Sequence, residues 1–198
     1  MSPIDDGARR LPPGASGIPP DIVARNQRER LFAAVAEACA EKGYVETSVA
    51  DLAARAGIST ATFYKLFAGK RECVLDAHAE LLERLLEEVD RACEAAAAWE
   101  EKVRAVLRTV LVLFAADAPT ARLLTIEVLA LGPAGAARND AAVEAFAARL
   151  RSERDGESTD AEWATVAGIA MLIGKRVMAG EAASLPALEG ELVALLSR

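Results

Sequence analysis

Apolar residues return every three or four positions from residue 21 almost to the end of the chain, and no stretch alternates at period two. That spacing puts an apolar stripe on each of a series of helices and offers no face from which a sheet could be built. Composition agrees, since 44 alanines stand against nine aromatic residues, a balance suited to close-packed helices. The chain reads as an all-α fold of about nine helices. The first spans about Asp21 to Lys42 and is stopped by Gly43, and two short helices follow on either side of Gly57. Helix four runs from about Arg71 to Ala97, with Leu75, Leu82, Leu85, Leu86 and Val89 along its stripe. Glu100 to Ala116 carries Val103, Val106, Leu107, Val110, Leu111 and Phe114, and Pro119 can open the next helix at its first turn. Leu123 to Leu131 is apolar on nearly all sides, which implies burial from several directions, and Gly132-Pro133 breaks it. The remaining helices cover about Ala136 to Arg154, Asp160 to Ala179 and Ser184 to Ser197, with a polar loop at Asp155 to Ser158.

Several function classes drop out at this level. No apolar run approaches the roughly 20 residues that span a bilayer, and no basic-then-apolar leader precedes a small-residue cleavage site, so a cytoplasmic protein is expected. Cys39, Cys73 and Cys93 are odd in number and sit in helices, as reduced thiols do. His78 is the only histidine, so no HExxH metal pair exists, and its neighbours Asp76 and Glu80 at i±2 do not share its helix face. It reads as a partly exposed helix residue. With no CxxC, GxSxG, GxGxxG or GxxxxGK[ST] either, neither an enzyme nor a metal or cofactor is expected. The net charge of -7 divides into +1 over residues 1–75 and -8 over residues 76–198. A face that meets phosphates must therefore lie in the first part, and the rest would repel nucleic acid.

The most informative stretch is TSVADLAARAGISTATFYKLFAGK, from Thr47 to Lys70. Ser48 with Asp51 makes a capping box, and Gly57 stands where a helix end needs a left-handed residue. Ser59 caps the second short helix, and Ile58 and Phe63 have the spacing of a hydrophobic staple. Phe63, Leu66 and Phe67 point inward at i, i+3 and i+4, leaving Thr60, Ala61, Tyr64 and Lys65 on the opposite face. Two short helices joined through a glycine turn are what a helix-turn-helix requires. Small, hydroxyl and cationic residues suit insertion into a major groove, with Thr60 and Ala61 at base edges and Tyr64 and Lys65 as donors. Ser48 and the helix start behind it could hold a phosphate. Lys70 is poorly placed for a helix dipole, which a phosphate partner would explain, and Arg25 and Arg28 are further phosphate candidates. Residues 1–20 contain five of the eight prolines and read as a disordered arm, whose Arg9 and Arg10 could reach a minor groove.

From Arg25 to about Leu86 the sequence resembles the DNA-binding domain of the tetracycline-repressor (TetR) family of transcriptional regulators. The resemblance is carried by RERLFAAVAEACAEKGY and Thr47-Ser48. It continues in Asp51-Leu52-Ala53, Ala56-Gly57-Ile58-Ser59, Thr62-Phe63-Tyr64, and Phe67 with Lys70. It implies three regions: an arm at 1–20, a three-helix DNA-binding domain at 21–70, and a helical ligand-binding and dimerisation domain at 71–198. It also implies a homodimer on a partly palindromic double-stranded operator, with Ser48, Thr60, Tyr64, Lys65 and Lys70 at DNA-contacting positions. Repression is the family's usual mode. One departure is Leu66, where the family often has a histidine or tyrosine able to bond a phosphate.

For the C-terminal helices the resemblance implies a small-molecule effector, expected to be largely hydrophobic. Phe114, Glu127, Trp163 and Met171 are candidate pocket residues, although the aromatics could equally be core and Glu127 could pair with Arg122. Small residues around Gly168 and Gly174, and a final stripe including Leu188, Leu192 and Leu195, suit pairing of two subunits or packing within one. Effector binding would then move helix four and shift the recognition helices from the roughly 34–36 Å that successive major grooves demand. The competing readings are a helical scaffold without operator binding and a small helical enzyme.

Overall fold

The computed structural model describes residues 19–150 and 160–196. The proline-rich arm with Arg9 and Arg10, the stretch Arg151 to Arg154, the loop Asp155 to Ser158 and Ser197 lie outside the described residues. Within them the chain is helical and contains no strand. The order is α1 Pro20–Glu46, α2 Val49–Ala56, α3 Thr60–Leu66, α4 Lys70–Cys93, α5 Trp99–Ala116, α6 Ala118–Thr125, α7 Pro133–Leu150, α8 Asp160–Met178 and α9 Glu189–Leu196. Short 3-10 segments at Glu127–Leu131 and Ala182–Leu188 precede α7 and α9. No helix among the described residues is long and apolar enough to cross a membrane.

Helix ends follow local chemistry. Gly43 leaves the helical region at φ 81°, so the regular part of α1 stops where the sequence places it. Asp117 caps α6 by accepting from the Thr120 amide at 3.1 Å, with Pro119 in the first turn. All six apolar residues read for α5 are buried. Two elements differ from the reading. The last helix begins only at Glu189, because Pro186 removes an amide donor and leaves Ala182–Leu188 as a 3-10 segment. The apolar run Leu123 to Leu131 splits at Ile126, and Leu129 is exposed while Leu123, Val128 and Leu131 are buried.

One continuous core runs from Leu31 and Val35 on α1, through Val74 and Leu85 on α4, to Leu192 on α9. Helix α4 packs against α1 at one end and against α5 along its length, so it belongs to both halves of the molecule. His78 on α4 corrects the sequence reading. It is fully buried, not partly exposed, and neither ring nitrogen has a well-formed hydrogen bond. Burial pushes its pKa down to about 4, Arg138 adds to the shift, and the backbone of Leu124 opposes it. Cys39 and Cys73 are buried thiols pushed up to about 11 and about 12 by the same desolvation, so both stay protonated.

Candidate nucleic-acid interface and effector cavity

The turn between α2 and α3 is built as its residues dictate. Ser48 Oγ accepts from the Asp51 amide at 3.1 Å while an Asp51 carboxylate oxygen accepts from the Ser48 amide at 2.8 Å. Gly57 takes the left-handed conformation at φ 65°, where a side chain would be strained. Ser59 Oγ accepts from the Thr62 amide at 3.0 Å and starts α3. Phe63 and Phe67 are buried with ring centroids 5.7 Å apart, and Phe32 of α1 lies 6.1 Å from Phe67. Leu66 is half-buried beside them. This aromatic anchor fixes which side of α3 faces out, and Thr60, Ala61, Tyr64 and Lys65 are all exposed there. Tyr64, 59% exposed, is held edge-on to Phe63 at 85°.

The flanking cations behave differently. Lys70 donates to the carbonyl oxygens of Tyr44, Val45 and Thr47 at 2.8, 3.2 and 2.7 Å and sits 4.2 Å from the Tyr44 ring centre. Its three ammonium protons all serve the broken end of α1, so a phosphate is not needed to explain it. Arg28 likewise bonds Asp76 at 2.7 Å and lies 4.5 Å over the Phe67 ring, pinning α1, α3 and α4 together. Ser48 spends its hydroxyl on Asp51, whose carboxylate is held well below its usual range by Lys42 and Ser48. A negative charge thus already occupies the start of α2, where a phosphate was expected. Of the flanking candidates only Arg25 is exposed without a bonded partner among the described residues.

Between α4, α5, α6, α7 and α8 lies a cavity of about 730 Å³, counted with its mouth. Its walls are apolar except for Thr125 and Asn139, and include Leu82, Leu85, Val110, Phe114, Phe146, Leu150, Val166 and Ile173. Phe114 is therefore in the wall as read. Glu127, Trp163 and Met171 are not. Glu127 is buried against α1: it accepts from the Tyr44 amide at 2.7 Å and pairs at 2.8 Å with Arg122, which also donates to the Ala40 carbonyl at 2.9 Å. Trp163 and Met171 point outward on α8, Met171 at 76% exposure. The sequence held no signal for Asn139, a single polar residue in the middle of an alanine-rich helix.

The residues read as a dimer interface also divide. Gly174 is buried against its own subunit, where a Cβ would come 2.7 Å from Ile126 Cδ1, so it serves close packing of α8 on α6. Leu192 is buried in the same core and Leu188 is partly buried against it. Gly168, Met171, Met178 and Leu195 remain exposed.

Residues 31–77 match the family model described as bacterial regulatory proteins, tetR family. No curated protein sequence matches the chain. Among solved structures, the fatty acid degradation regulator FadR from Bacillus halodurans superposes with a TM-score of 0.76 at 19% identity, covering 86% of this chain and 94% of that one. FadR from Bacillus subtilis, solved in complex with stearoyl-CoA, gives 0.70 at 20% identity over 84% and 96%. The TetR-family regulator PfmR from Thermus thermophilus gives 0.62 at 21% over 83% and 97%. With the family's sequence signature over α1 to α4 and its fold over the rest, this chain belongs to the tetR family of bacterial regulatory proteins, DNA-binding regulators of transcription.

Proposed function

We propose that this chain is an operator-binding repressor released by a small, largely hydrophobic molecule. One observation carries the reading: the outward face of α3 leaves the Tyr64 hydroxyl and Lys65 ammonium without bonds inside the described chain, while every neighbouring cation but Arg25 is used internally. Thr60 and Ala61 meet base edges, Tyr64 and Lys65 reach phosphates or bases, and Arg25 adds a backbone contact. Leu66 makes no phosphate contact. Two copies join through the exposed stripe of Gly168, Met171, Lys175 and Met178 on α8, with Leu195 of α9 beside it, as an isologous helix pair. Each copy then offers one α3 to a half-site of a partly palindromic operator.

The apolar cavity takes the effector, a role supported by the stearoyl-CoA complex of the B. subtilis FadR. Two mechanical links run from it to α3. Helix α4 lines the cavity through Leu82 and Leu85 and holds α1 and α3 through Arg28–Asp76. Helix α6 lines it through Leu124 and Thr125 and grips the end of α1 through Arg122 and Glu127. Moving either would change how the two copies of α3 are spaced, and a coupling of about 1–3 kcal/mol loosens DNA about 5–150-fold. Binding to the chain's own promoter region at several salt concentrations tests the DNA-binding part. A dimer neutralising about six to eight phosphates gives a log–log slope near -5 to -7. A flat response would leave the helical scaffold as the better reading.

A further inference from the structure

The cavity wall is polar at one end only. Thr125 is there, next to Gly174 on α8, and its hydroxyl already donates to the Ala121 carbonyl at 2.7 Å. Asn139 on α7 lines the cavity, and its carboxamide makes no hydrogen bond within the described residues. His78 lies one turn of α4 before the wall residue Leu82 and beside Leu124, another wall residue. It is fully buried and both its nitrogens lack partners. Arg138, next to Asn139, is close enough to act on the His78 charge, so α4 and α7 meet at this end. At their far ends Asp90 takes a paired contact from Arg149, at 2.7 Å for both bonds. The two helices therefore run side by side in the same direction. From Asn139 to Leu150 the α7 wall is roughly 16 Å long at helical rise. Its far end is closed by Phe146, Leu150 and Val166 without a polar side chain.

Two buried or half-buried polar groups without partners, at one end of an apolar slot, are costly unless something arrives to bond them. Neutral His78 offers one N–H donor and one acceptor, and Asn139 offers an N–H₂ donor pair and a carbonyl. We propose that the effector is a single-chain acyl compound, its carbonyl oxygen held at the Asn139–His78 end and its aliphatic tail directed toward Leu150 and Val166. This rests on the cavity being the effector site. The head then lies on the side of α4 that leads to Lys70 and the DNA-reading helices, and the tail lies away from them. Free fatty acids and acyl thioesters share the carbonyl and differ in the oxygen or sulfur bonded to its carbon.

The test is competition against cavity-bound 1-anilinonaphthalene-8-sulfonate on the full chain, with laurate, lauroyl-CoA, dodecylamine and dodecane. At least one of the two acyl compounds should displace the probe, and whichever does so identifies the source; dodecylamine should not. Asn139→Leu should weaken that acyl compound about tenfold or more and leave dodecane unchanged. Asn139→Ser, which keeps a hydroxyl, should lose less, and matched thermal melts show that both variants fold. Val166→Trp should exclude stearoyl chains while still admitting octanoyl chains. Equal acyl binding to wild type and Asn139→Leu would overturn the proposal, and so would dodecylamine binding as tightly as laurate. If another molecule fills the cavity and releases DNA while neither acyl compound binds, this assignment fails and the repressor reading stands. Acyl binding that depends on Asn139 without any effect on a DNA complex would support this assignment and overturn the effector-release reading.

Discussion

The two halves of the molecule treat their polar groups in opposite ways. Around α3 nearly every side chain that could bond is already bonded: Ser48 to Asp51, Arg28 to Asp76, Lys70 to three carbonyls. The unbonded remainder is confined to one exposed strip, Thr60 to Lys65. Around the cavity the reverse holds, and His78 and Asn139 sit unsatisfied beside apolar walls. A finished frame suits a surface that must keep its shape when it meets a duplex. An unfinished interior suits a site that changes when something enters it.

Breaking the frame should have the largest effect. Phe63→Ala removes the buried ring against which Tyr64 and Phe67 are set, and a loss of about 3–5 kcal/mol is expected in chemical denaturation, with DNA binding lost alongside. A loss below about 1 kcal/mol would mean that the aromatic anchor is not what holds α3.

The interior should reveal itself by pH. His78 is depressed from about 6.5 to about 4 in the folded chain, so it is neutral in both folded and unfolded states above about pH 7. As pH falls from 6.5 toward 4 the unfolded chain takes up the proton first and stability drops, by about 3 kcal/mol once both states are protonated. His78→Leu should flatten that part of the stability–pH curve, measured by urea midpoints between pH 7 and pH 4. An unchanged slope would show that His78 is solvated.

Lys70 sharpens the contrast at smaller scale. Lys70→Met should cost about 1.5–3 kcal/mol of stability by orphaning the carbonyls at the end of α1. The salt slope of DNA binding should stay the same. A slope reduced by about one per subunit would return Lys70 to the phosphate contacts.

Periodicity and caps made the fold legible, because each helix start and stop is decided by neighbours in sequence: Ser48 with Asp51, Gly57, Ser59, Asp117 with Pro119. The outward strip of α3 was legible for the same reason, since two phenylalanines at i and i+4 fix the face. The illegible part depends on partners far along the chain. Lys70 reaches back to Tyr44, Arg122 to Ala40 and Glu127 to Tyr44, contacts that no local pattern announces. Met171 shows the same limit from the other side: an apolar residue on a helix can face a cavity, a core or an empty surface with equal local grammar, and only packing decides.

The most direct measurement compares the double variant Tyr64→Ala, Lys65→Ala with wild type on one fragment of the native promoter, with thermal melts run on the same samples. The melts should agree to within about 0.5 kcal/mol, since both side chains are exposed, while specific DNA binding disappears. Full affinity in the double variant, with the fold intact, would remove this strip of α3 from the interface and contradict the account.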